Sequence, residues 1–166
     1  LLKVPFGNSW TGVVLIDDSK KILIDSGARD LDVDEILLPA LQAEGYSLGD
    51  MDYLINTHSH GDHIGGYARI KELAPDIRVI SAYTDKKNVE EPAKLAIQTR
   101  GKYPKVSPSP QSDLQGVSVD RVLDDGESLD DILTLVVTPG HDYGCVCWYD
   151  LKTKTIITGD YYGKQG

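Results

Sequence analysis

A chain of 166 residues with 40% apolar and 26% charged residues has the composition of a folded globular protein, which excludes a disordered or low-complexity one. Its formal net charge of −9 argues against a surface built to neutralise nucleic-acid phosphates or to lie on anionic lipid. No apolar run approaches the roughly 20 residues of a membrane helix, and "LLKVPFGNSW" lacks the long apolar core of a secretory leader.

These properties predict one domain over residues 1–166 and argue against nucleic acid or membrane as a partner. They favour a cytoplasmic location and leave the oligomeric state unknown.

"SWTGVVLIDDSKKILIDSGA" holds two β-rich runs around the turn-forming residues 17–21, which predicts a hairpin ending at Asp25. In "LDVDEILLPALQAEGY" Val33, Ile36, Leu37, Ala40 and Leu41 recur at helical intervals, with Asp32 or Asp34 as cap and Gly45 as stop. "YLINT" reads as a short strand from Tyr53, "IGGYARIKELAP" as a helix closed by Pro75, and "DIRVISA" as the next strand. Residues 84–100 mix charges with apolar side chains and predict an exposed helix, whereas the prolines of "KYPKVSPSPQSD" predict a loop.

Beyond Val117 the chain is β-rich again. "VSVDRVL", "ILTLVVT", "CVCWYD" and "TIITGD" read as strands, separated by "DDGES", "PGHDYG" and "LKTKT". Cys145 and Cys147 share one face of such a strand, are poorly placed for a mutual disulfide, and are expected as buried apolar packing. Two β-rich blocks separated by helices suggest a layered α/β architecture with helices covering sheets.

"NTHSHGDHIGG" places three of the four histidines and an aspartate within positions 58–63. His58 and His60, two apart at a strand end, project to one side if the extended geometry persists, and Asp62 and His63 follow at once. Imidazole nitrogen and carboxylate oxygen bind zinc at about 2.0–2.2 Å, and iron or manganese accepts the same mixture. A histidine-rich polar turn is the alternative; the density of donors favours a metal.

His141, in "TPGH", is a sensible distant ligand, since catalytic zinc commonly takes three protein ligands and leaves a position for water. Asp160, ending "TIITGD", is either a ligand bridging two metals or a turn cap. Asp25, in "LIDSG", is either a turn residue or a carboxylate that accepts a hydrogen bond and holds the metal loop in place.

Together these elements resemble the metallo-β-lactamase fold superfamily. Its HxHxDH signature stands intact as His58, His60, Asp62 and His63, with "INT" before and "IGG" after. Asp25, His141 and Asp160 follow in the matching order. The resemblance implies an αββα four-layer sandwich with the metals at one edge. It implies that His58, His60 and His141 hold one ion, that Asp62 and His63 hold a second, and that Asp160 bridges them. Asp62 is the candidate catalytic carboxylate. Two zinc ions are the implied cofactor, with iron or manganese as alternatives. Ions about 3.5–4 Å apart bring the pKa of a shared water towards 7 and polarise a carbonyl oxygen.

The implied activity is metal-dependent hydrolysis, by a metal-bound hydroxide, of a small ester-like substrate: a thioester, a lactone or a β-lactam. Dinuclear members usually add a histidine near the C-terminus, followed by further strands and a helix, whereas His141 is the last histidine here. The expectation is therefore a C-terminally shortened member. A mononuclear iron oxygenase on the same scaffold and an inactive metal-binding fragment stay open as alternatives. "PGHDYG" also departs from the common "PGHTPG", and Asp142 and Tyr143 are read as a tolerated loop variation.

Overall fold

The computed structural model describes residues 1–94, 97 and 113–162, with only the backbone of Tyr162. β1 (Leu2–Phe6), β2 (Ser9–Asp17), β3 (Lys21–Ile24), β4 (Tyr53–Ile55), β5 (Arg78–Ala82) and β6 (Arg121–Leu123) form a six-stranded sheet in that order. The first two pairings are antiparallel, and β3 to β6 run parallel. β7 (Ser128–Leu129), β8 (Leu133–Val137), β9 (Val146–Asp150) and β10 (Ile156–Ile157) form an antiparallel sheet, ordered β10-β9-β8-β7.

The parallel strands are short apolar runs because both of their faces are covered. Leu23, Leu54 and Val79 point to the helices, packing with Val33, Leu37, Tyr67 and Ile70. Their neighbours Ile22, Ile24, Ile55 and Ile80 point the other way and meet Leu133, Leu135, Val146 and Trp148 of the second sheet. The strand period of two thus feeds two separate cores from one sheet.

Helix, sheet and sheet are stacked in the order expected of the sandwich. Among the described residues no α-helix packs on the outer face of the four-stranded sheet, where Val136 and Ile156 stay exposed. No described helix is long and apolar enough to cross a membrane.

The structure corrects several local expectations. β1 was not anticipated; it pairs along its whole length with β2. The first long helix, α1 (Asp30–Asp32), continues through a π-helical stretch (Val33–Leu37) into α2 (Leu38–Ala43), and neither expected cap is used. Asp32 is buried inside the helix, where its carboxylate accepts from the Ala28 amide at 3.1 Å and from Arg29 at 2.6 Å, while Asp34 pairs with Arg69. Gly45 is the stop, at φ +84°.

Of the helix expected across "IGGYARIKELAP" the part Tyr67–Leu73 forms as α4, while a separate short helix, α3 (Gly61–Ile64), precedes it within the histidine cluster. At the break a β-carbon on Gly65 would lie 2.0 Å from the Ala28 carbonyl oxygen, so the chain after β3 can lie this close to the end of α3 only because Gly65 has no side chain. The helix expected over 84–100 begins as α5 (Lys86–Glu90), yet it is not simply exposed, because Val89 is fully buried. The loop "KYPKVSPSPQSD" lies outside the described residues apart from its last residue, Asp113. Of "VSVDRVL" and "TIITGD" only the residues of β6 and β10 pair as strand, and Gly159–Tyr162 turns into a 3-10 helix.

Candidate metal centre

Parallel β3, β4 and β5 end at one edge of their sheet, and in open α/β sheets that carboxyl edge is where ligands gather. Asp25 follows β3, the segment Asn56 to His63 follows β4, and Asp85 stands three residues beyond β5. The second sheet adds His141 from the β8–β9 loop and Asp160 from the turn after β10.

Three imidazoles converge here. Nε2 of His58 lies 3.1 Å from Nδ1 of His60, which lies 3.0 Å from Nε2 of His141. A ring nitrogen carries either one hydrogen or one lone pair, so Nδ1 of His60 cannot make two good hydrogen bonds at once. A cation satisfies all three nitrogens. Tetrahedral ligands at 2.0–2.1 Å from zinc would stand about 3.3–3.4 Å apart, close to the spacing found.

His63 lies beside them and is buried. Its Nδ1 is 2.8 Å from Oδ2 of Asp25. Its Nε2 has no hydrogen-bond partner; Oδ1 of Asp160 lies 3.3 Å away and Oδ2 of Asp62 3.5 Å away. His58, His63 and Asp160 thus make a second group able to hold an ion, sharing His58 with the first. Asp62 stands outside both groups, with its Oδ2 accepting from the Thr11 hydroxyl at 3.1 Å.

The charges follow from this crowding. Burial, and then the neighbouring His63 and His60, push His58 down to about 2, so it is a neutral donor at ordinary pH. Burial also opposes charge on His63, but Asp25, Asp160 and Asp62 outweigh it and raise the ring to about 10. The contact with His63 holds Asp160 at about 2. The proton on His63 is thus balanced by the Asp62 and Asp160 carboxylates that face Nε2, and an ion held by this group would take that proton's place.

Two carboxylates orient the rings from behind. Asp25, at φ 63°, accepts from the amide and the hydroxyl of Thr57, both at 2.8 Å, as well as contacting His63. Its role thus extends beyond that of a turn residue, and a left-handed backbone is tolerated better by Asp than by most side chains. Asp142 has its Oδ2 3.5 Å from Nε2 of His60, on the far side of the ring from the converging nitrogens. This contact holds Asp142 at about 2, and its Oδ1 also accepts from the Gly144 amide at 2.9 Å. Tyr143 beside it is 78% exposed.

Asp85 was not anticipated. It is fully buried beneath the histidine loop and accepts from Asn56 at 2.7 Å, Ser59 at 2.8 Å and Asn88 at 2.9 Å. The His141 loop rests on the same carboxylate, since a β-carbon on Gly144 would lie 2.2 Å from its Oδ1. Both cysteines are free and buried, and burial raises Cys145 to about 11, which fits the expected apolar packing.

The sequence profile of the Metallo-beta-lactamase superfamily matches residues 4–162. The chain belongs to this superfamily. Its structure is similar to that of a metallo-β-lactamase with a HARLDQ motif from Cronobacter sakazakii, at a TM-score of 0.66 and 26% identity, covering 88% of this chain and 54% of that one. A subclass B3 metallo-β-lactamase of Bradyrhizobium japonicum gives a TM-score of 0.63 at 28% identity, over 83% of this chain and 49% of that one. A hydroxyacylglutathione hydrolase of Synechococcus is 40% identical over 55 residues, which make up 33% of this chain and 20% of that protein. This superfamily member spans about half the length of the longer relatives it matches.

Proposed function

We propose that the chain is a metal-dependent hydrolase that opens a small ester-like bond, in a thioester, a lactone or a β-lactam. The observation that carries this reading is the meeting of three imidazole nitrogens at 3.0–3.1 Å beside the unpartnered Nε2 of His63. The family relatives named as hydrolases support the same reaction class.

In this reading His58, His60 and His141 hold one ion, and His63, Asp62 and Asp160 contribute to a second. The donor set suits two zinc ions and also accepts iron or manganese. Such ions supply Lewis acidity, lowering the pKa of water towards 7 and polarising the substrate carbonyl.

The remaining steps belong to the chain's own groups. Asp25 holds the His63 ring through Nδ1 and so keeps Nε2 turned to the site. Asp142 does the same for His60 from the opposite side. Thr11 fixes Asp62, whose carboxylate borders the cleft and is placed to take the proton released as water attacks.

The test compares the zinc-loaded protein with its His60→Ala variant on thioester, lactone and β-lactam substrates, alongside measured metal content. The expected outcome is a loss of hydrolysis by at least about 100-fold together with a loss of bound metal. Equal rates for the two proteins would overturn the proposal. Full metal content without turnover of any substrate would leave a metal-binding protein that is not a hydrolase.

A further inference from the structure

Behind the histidine loop, three fully buried polar atoms have no hydrogen-bond partner among the described residues: Oδ1 of Asn56, the Tyr67 hydroxyl and the Ser81 hydroxyl. The fold brings them to one layer. Ile55 and Ile80 are register partners of the parallel β4–β5 pair, so Asn56 and Ser81, one residue further on, stand side by side. The alternation along each strand puts both on the face that Leu54 and Val79 turn to the helices. Tyr67 comes down from α4 onto the same face and packs in the core of Leu54 and Val79.

Burial, and then the charges of Asp25 and Asp85, push the Tyr67 hydroxyl well above the usual tyrosine range, so it stays a neutral donor within reach of both carboxylates. Between those carboxylates runs the root of the histidine loop. Nδ2 of Asn56 donates to Asp85 at 2.7 Å, and the Thr57 amide donates to Asp25 at 2.8 Å. The Asn56 amide cannot be turned round, because a carboxylate only accepts and must face the NH2 group. The atom left over is the carbonyl oxygen, an acceptor that needs a donor.

Buried polar groups without partners are costly, and buried waters typically make about three hydrogen bonds to such groups. One water meets all three needs here. It donates to Oδ1 of Asn56 and to one hydroxyl, and accepts from the other hydroxyl.

We infer that Asn56, Tyr67 and Ser81 form a binding site for a single buried water, which fixes the Asn56 side chain in the orientation that serves Asp85. Tyr67 and Ser81 are then positioning residues for the histidine loop, and neither belongs to the groups able to hold an ion. The main-chain carbonyl of Asn56 also accepts from the Trp148 indole at 2.9 Å, so α4 and both sheets meet at this one residue. The site needs only the folded chain and does not rest on the hydrolase reading.

A crystal structure of the whole chain tests the site directly. One ordered water should lie about 2.6–3.2 Å from all three atoms. Direct pairing of Oδ1 with either hydroxyl, or no water peak, would overturn the inference. In solution, Tyr67→Phe and Ser81→Ala each remove one hydroxyl and little volume. Groups that share a water are coupled, so the melting-temperature shift of the double variant should fall short of the sum of the single shifts; strict additivity would count against a shared water.

The positioning role is read on Asn56 itself, by solvent exchange of its side-chain amide protons in labelled protein. Tyr67→Phe should speed that exchange about 2–10-fold, the effect of one hydrogen bond. Gly45→Ala, which destabilises the fold away from this layer, should leave it unchanged. Equal acceleration in the two variants, or none in Tyr67→Phe, would show that the water does not hold Asn56.

Discussion

Asp85 accepts three side-chain hydrogen bonds in a fully buried position, and two of the donors, Asn56 and Ser59, flank His58. Burial raises its pKa, yet the donors around it favour the carboxylate. Asp85→Ala would strand those donors, each at a cost of about 1–3 kcal/mol. We expect a lower melting temperature and a metal affinity weakened by about 10–100-fold, measured by competition with a chelator. An unchanged affinity would show that the loop keeps its shape without Asp85. The histidine cluster was legible in the sequence because its members lie within positions 58–63, whereas Asp85 was not. Its role depends on β5 lying beside β4, a pairing that no local pattern reveals. Asp142 escaped for a related reason: its partner His60 lies far away in the chain and meets it only across the two sheets.

Among the elements, α3 carries Asp62 and His63, and directly after it Gly65 passes against the Ala28 carbonyl. Gly65→Ala would force a β-carbon into the Ala28 carbonyl and should destabilise the fold by about 1–3 kcal/mol or more. Gly45→Ala has open space around it and carries only the strain of positive φ, about 1–2 kcal/mol. Denaturant unfolding of the two variants separates the effects, and only the Gly65 variant should also lose bound metal. Equal metal content in both would show that the α3–α4 break is not coupled to the site. The alternating and apolar runs made most strands readable. β1 was missed because Lys3 and Pro5 interrupt an apolar pattern that becomes a strand only when β2 pairs with it. The helix caps were misjudged because a buried Asp32 with its own donors looks, in sequence, like any capping acid.

At the scale of the whole molecule, the donors are divided between the sheets. His58, His60 and His63 follow β4, whereas His141 and Asp160 come from the second sheet. An ion bound only by the folded arrangement stabilises it by about 2.7 kcal/mol at a free concentration 100 times its dissociation constant. For a chain of this size that corresponds to about 5–10 °C in melting temperature. Chelation should lower the zinc-loaded protein's transition by that amount and leave His60→Ala much less affected. An identical drop in both would mean that the stabilising ion is bound elsewhere.

Main-chain contacts already fasten the two sheets at this edge, with the Val146 amide donating to the Thr57 carbonyl and the Trp148 indole to that of Asn56. The carbonyls belong to the residues immediately before His58, so the strand that closes the sandwich also grips the root of the histidine loop. Any breathing motion that parts the sheets must therefore pull the ligands apart with it. If an ion is held there, its release and amide exchange at Val146 would share one opening event, and the rate of ion loss would become a clock for the parting of the two halves.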